Sequence, residues 1–150
     1  MKTFLSILLL FCFWFLNAQS ASEDIHQLLD NWHRAAAVAD ENTFFGSMTE
    51  DAHYIGTDEN EDWKRDEMKF WGKEFFERDS AWDFKKKNRN IYLHSDGKLA
   101  WFDETLDTWM GVCRGSGVVV LTQEGWKIKH YVLSITVPNE KIDTYLDAVK

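Results

Sequence analysis

The stretch Trp109 to Pro138, WMGVCRGSGVVVLTQEGWKIKHYVLSITVP, decides how the rest of the chain is read. It holds two strand-like runs joined by the turn Gln123-Glu124-Gly125. The first, Gly117 to Leu121, is small and β-branched; the second, Trp126 to Val137, alternates large apolar residues with Lys127 and Lys129 before becoming mostly apolar. Runs of this kind bounded by glycine turns read as adjacent antiparallel strands. They are expected to form the inner wall of a pocket, with Arg114 and His130 as its most conspicuous polar residues.

Immediately upstream, Ser95-Asp96-Gly97-Lys98 lies between the apolar runs Ile91 to His94 and Leu99 to Phe102. Asp-Gly between such runs is a strong hairpin signal, and the second strand continues to Trp109. Trp82 and Phe84 alternate with Asp83 and Lys85, which extends the strand pattern back toward Ser80. The basic run Lys85 to Arg89 reads as a solvated strand end or turn, where lysines discourage edge-to-edge pairing.

The N-terminal half reads as helical. Ser22 is placed to cap a helix with Glu23 and Asp24 in its first turn. Ile25, Leu28, Leu29, Trp32, Ala36 and Ala39 then form an apolar stripe. His26 and His33 flank the stripe about 10 Å apart along the axis, too far to share a metal. Asp40 is expected to cap a short second helix through Phe44, Phe45 and Met48. Ala52 to Gly56 reads as a short strand, Thr57 to Asp62 as a polar loop, and Trp63 to Arg78 as a helix. The loop lacks the glycine and closing glutamate of a calcium site, so no metal is expected there. Pro138 ends the last strand, and Asn139 to Lys150 reads as a short tail helix or frayed end.

Composition narrows the class. The chain has 150 residues, 45% of them hydrophobic, which suits one domain with a sizeable core. Its formal charge of -8 disfavours nucleic acid and anionic membrane surfaces as partners. Lys2, the apolar run Phe4 to Leu16, and the small residues near Ala18 and Ser20 read as a signal peptide. Residues 1–20 are therefore assigned to the leader, with cleavage after Ser20 or, alternatively, Ala18, and residues 21–150 to a single domain. The apolar run is short for a transmembrane helix. The expected location is periplasmic or secreted, with no stable membrane anchor after cleavage. Loss of Cys12 with the leader leaves Cys113 alone, read as a small buried hydrophobe.

Helices, one strand, another helix and a long meander make an α+β domain, with helices packed on one face of a curved, mostly antiparallel sheet. A concave sheet covered by helices encloses a cavity suited to a small ligand. Tyr54-Ile55-Gly56-Thr57-Asp58, Glu61-x-Trp63, Ala100-Trp101-Phe102, Arg114-Gly115-Ser116-Gly117-Val118 and Trp126-Lys127-Ile128-x-His130-Tyr131-x-Leu133-Ser134 together resemble the SnoaL-like family within the nuclear-transport-factor-2-like superfamily. The resemblance runs from about the first helix to Pro138. It implies a cone-shaped fold, commonly dimeric, with a pocket between helices and sheet, so a homodimer is expected. Superfamily members include isomerases, cyclases, dehydratases and hydrolases as well as proteins that only bind or scaffold, so the fold does not decide the function.

Strand alternation selects the candidate site. Ala100, Phe102, Glu104, Leu106 and Thr108 form the less acidic face of their strand and are assigned inward. Arg114, Ser116, Val118 and Val120 share a face if no bulge intervenes, as do Trp126, Ile128, His130, Val132 and Ser134. On that reading His130 is a general acid or base tuned by Glu104, with Arg114 holding an anionic or carbonyl oxygen. The competing reading is a mutually satisfied polar network. Tyr54, Asp58, Glu61, Trp63, Trp71 and Phe102 are the candidate ligand-binding residues. The resulting expectation is an exported pocket protein for a small organic ligand, with no cofactor. Its catalytic form would be a cofactor-free isomerase, cyclase, dehydratase or hydrolase. The alternative is a non-catalytic binding or dimerisation module.

Overall fold

The computed structural model describes residues 21–150. The expected leader, its cleavage position and Cys12 lie outside the described residues. Helix α1 covers 21–37. It is followed by α2 (Glu41–Gly46), β1 (Met48–Ile55), β2 (Asp62–Lys64) and α3 (Arg65–Phe76). Strands β3 (Lys85–Leu93), β4 (Leu99–Thr108), β5 (Gly111–Thr122) and β6 (Gly125–Ile135) then form the meander. A single 3-10 turn at Asn139–Lys141 leads into α4 (Ile142–Ala148), none of whose residues is buried. The six strands lie in the order β2-β1-β6-β5-β4-β3, and only the β1-β6 contact is parallel. The sheet is curled and not closed, and with the helices it gives an α+β cone.

The apolar stripe of α1 is the inner layer of the core. Ile25, Leu29, Trp32 and Ala36 are buried, and Trp32 stacks on Phe44 at 4.8 Å and meets Tyr131 edge-on at 4.7 Å. Ser22 lies inside α1, so it does not act as the expected cap. Asp40 does cap α2, its side chain accepting from the Thr43 amide at 3.0 Å.

Several boundaries differ from expectation. Met48, expected in α2, opens β1, which therefore begins four residues before the expected Ala52. Trp63 belongs to β2, where it pairs with Tyr54, and α3 starts at Arg65 because Glu67 reaches back to accept from the Lys64 amide at 2.9 Å. Residues 82–84 are not a strand. The run Lys85 to Arg89 instead forms the start of β3, its lysines exposed and its arginine buried. The tyrosine and tryptophan of the row Tyr92-Trp101-Val118 stack on the convex face, with ring centroids 5.9 Å apart.

Candidate functional site

Glu104 faces inward as its strand alternation requires and is 1% exposed. Its expected partners are elsewhere. Arg114 pairs in register with Thr105, and the buried members of β5 are Cys113, Gly115, Gly117 and Val119, which leaves Arg114 exposed on the other face. His130 starts in the inward phase set by Trp126 and Ile128. The register with β5 then slips by one residue, since Val119 pairs with Ile128 but Val118 pairs with His130. A bulge of this kind reverses the facing of everything beyond it. Tyr131 and Leu133 are buried, and His130 sits half-buried beside His53 in the register with β1. The structure therefore does not bring Glu104, Arg114 and His130 together.

A different set closes around Glu104. His33 Nε2 lies 2.7 Å from Oε1, and the Tyr131 hydroxyl donates to the same oxygen at 3.0 Å. Arg89 donates from Nε to Oε2 at 2.8 Å. Arg89 Nη2 is also 2.8 Å from Oε2, yet it is aimed off the oxygen; that contact is an ion pair without a hydrogen bond. Nη1 of Arg89 donates to Asp30 at 2.7 Å and to the His26 carbonyl at 3.2 Å, and Lys86 also donates to Asp30. The network thus joins α1, β3, β4 and β6. Burial pushes the Glu104 carboxyl up, but the His33 hydrogen bond and the His33 and Arg89 charges outweigh it and hold the carboxyl below its ordinary value. The carboxylate is fully engaged.

Room for this cluster comes from β5. A Cβ at Gly115 would run into the Tyr131 hydroxyl and come within 3.0 Å of Glu104 Cγ. Cys113 is buried, as expected of a small hydrophobe. Arg89 and His33 are site residues that strand alternation in β4 to β6 does not single out. The Asp96-Gly97 hairpin pairs Leu93 with Ala100 and, two steps on at a time, Ile91 with Phe102 and Arg89 with Glu104. The signal was present in that register. For His33 the signal was its position four residues after Leu29, at the edge of the apolar stripe.

A cavity of about 270 Å³ opens between α3, the β1-β2 loop and the β4-β5 turn. Tyr54, Glu61, Trp63 and Trp71 of the expected ligand residues line it. Asp58 does not; it is exposed and accepts from the Asn60 amide at 2.9 Å, fixing the loop. Phe102 does not either, being a core residue 2% exposed. Trp63 stacks on Trp71 at 4.5 Å and Trp71 on Phe75 at 5.0 Å, a ladder that forms one wall. Trp82, Trp109 and Met110 are lining residues the sequence reading did not single out. Burial first, and then the Glu61 charge, push the Tyr54 phenol up, so it stays protonated. Tyr54 also stacks on Tyr131 at 5.4 Å, which links the cavity wall to the Glu104 network.

A second, more open cavity of about 290 Å³ is lined by Asp30, His33, Arg34 and Lys86 among others. Phe84 contributes to both cavities. Among the described residues no group of three or more histidine, cysteine or carboxylate side chains is arranged to hold a metal, and no helix is long and apolar enough to cross a membrane.

The α+β cone is the architecture of the nuclear-transport-factor-2-like proteins. Residues 25–138 match the SnoaL-like domain family, and the chain belongs to it. Solved structures agree on the fold. A candidate dehydratase of the NTF2-like family from Streptomyces avermitilis is 13% identical, with a TM-score of 0.69 over 81% of this chain and 99% of that one. A candidate scytalone dehydratase from Novosphingobium aromaticivorans DSM 12444 is 14% identical, with a TM-score of 0.64 over 81% and 87%. A candidate calcium/calmodulin-dependent protein kinase II association domain from Xanthomonas campestris is 19% identical, with a TM-score of 0.57 over 77% and 86%. No curated protein matches the chain.

Proposed function

We propose that this chain is an exported pocket protein that binds a small organic molecule in the cavity walled by Trp63, Trp71 and Phe75. The observation that carries the reading is the cavity itself. Several aromatic side chains surround open space there, whereas elsewhere in the core they fill it. Its volume of about 270 Å³ falls just under the roughly 300–1,000 Å³ typical of drug-sized ligands, so the ligand is small. The buried network behind it supplies rigidity: Glu104 holds Tyr131, and Tyr131 holds Tyr54 on the wall.

The convex sheet face, with Tyr92 and Trp101 exposed, is the surface we assign to a second copy in a homodimer. Native mass spectrometry of the protein purified from an exporting host tests all three parts. The expected spectrum shows a chain cleaved near residue 20, a dimer, and a co-purified small molecule that is lost from the Trp63→Ala/Trp71→Ala variant. Retention of the molecule by that variant would contradict the cavity assignment.

Cofactor-free proton-transfer chemistry, of the isomerase, cyclase, dehydratase or hydrolase kind, is a second reading. One observation favours it: His33 lines the second cavity while Glu104 fixes its Nε2 at 2.7 Å. A histidine oriented by a carboxylate beside open space has the form of a general base and its orienter. Two structural neighbours named as candidate dehydratases lend it weight. In this reading His33→Gln removes turnover of any substrate found while the thermal midpoint moves by only a few degrees. Unchanged turnover in the folded variant would leave binding as the whole function.

A further inference from the structure

We propose that the aromatic cavity selects an organic cation of the tertiary or quaternary ammonium class. The inference rests on the cavity being the ligand site and adds the chemistry of what enters it. Among the described lining residues, Glu61 is the only one with a charged side chain, and no lysine, arginine or histidine lines the space. Glu61 is half-buried, and its hydrogen bonds from the Thr57 and Asp58 amides, at 2.9 and 3.2 Å, both fall on Oε2. The same segment also carries Asp58, Glu59 and Asp62, and no basic residue between Gly56 and Trp63.

Three ligand charges can be compared on these facts. An anion would meet an uncompensated carboxylate in a protein of net charge -8, and is repelled. A neutral ligand would stack on the rings but would strip water from Glu61 without replacing it, which burial of a charge penalises. A cation is attracted by the negative faces of the indole rings and by the carboxylate together. The ring chemistry already works this way at the cavity edge, where the Arg78 guanidinium sits 4.4 Å from the Phe75 centroid. Alkylated ammonium groups suit the site better than a primary ammonium because the walls offer ring faces and methionine sulfur with few hydrogen-bond acceptors.

The test is isothermal titration calorimetry on the mature protein with two shape-matched pairs that differ in charge: choline against 3,3-dimethylbutan-1-ol, and phenyltrimethylammonium against tert-butylbenzene. The expected result is at least tenfold tighter binding of each cation than of its neutral counterpart. Glu61→Gln keeps an oxygen to accept from the loop amides, and should weaken the cations about fivefold while the neutral compounds bind as tightly as before or tighter, because no charge is then desolvated. Equal or tighter binding of the neutral members overturns the cation proposal and leaves the cavity as the ligand site. Failure of all four compounds to bind the folded protein overturns both.

Discussion

Glu104 is a carboxylate with almost no contact with water, a placement that is costly unless the charge is paired and hydrogen-bonded. His33, Arg89 and Tyr131 meet both conditions. Removing one partner of such a buried set typically costs about 3–5 kcal/mol, because the remaining charge is stranded. Glu104→Ala should therefore lower the unfolding free energy by about that amount, read from urea titration. The pH dependence has a definite sign. The folded-state value lies below the ordinary 4.5, so the stabilisation from ionised Glu104 is complete above that value and is lost as pH falls through the lower, folded one. The stability advantage of the wild type over Glu104→Gln should shrink on acidification below about 4.5. An advantage that grows in acid would contradict the assigned network.

Strands β4, β5 and β6 show which features of an element are legible in sequence and which are not. Alternation and the smaller carboxylate count select Ala100, Phe102, Glu104, Leu106 and Thr108 as the inward set; the first four are buried, and Thr108 at the strand end is half-buried. Tyr54, Glu61, Trp63 and Trp71 were likewise read from the chain and line the cavity. The bulge near Lys129 was not legible: no glycine or proline marks it, and the alternation Trp126, Ile128, His130 looks unbroken. What drives it is tertiary, since the slip turns Tyr131 rather than His130 toward Glu104. The phase of β5 carried the same uncertainty, because its inward positions 115 and 117 are glycines and leave no apolar signature. Their smallness is nonetheless required. A Cβ at Gly117 would collide with the backbone carbonyl of His130 and come within 2.9 Å of the Phe102 ring. Overpacking of this kind costs roughly 1–3 kcal/mol, so Gly117→Ala should lower the thermal midpoint by several degrees. An unchanged midpoint would show that β5 and β6 are not in this register.

At the scale of the molecule, the cone separates two tasks. The network around Glu104 ties α1 to the sheet and is closed, while the cavity under α3 is open and walled by rings. The tryptophans divide accordingly, with Trp63, Trp71, Trp82 and Trp109 lining the cavity, Trp32 and Trp126 buried in the core, and Trp101 on the convex face. That division permits a direct test that needs no substrate. Two-dimensional NMR of the nitrogen-15-labelled protein over residues 21–150 resolves the indole N–H of each of its tryptophans, and the assigned spectrum can be followed as choline or 3,3-dimethylbutan-1-ol is added. Shifts concentrated in Trp63, Trp71, Trp82 and Trp109, with Trp32 and Trp101 unmoved, are the predicted result. Shifts confined to Trp101 or Trp32, with the four cavity indoles unchanged, would contradict the claim that this cavity is where the protein takes its ligand.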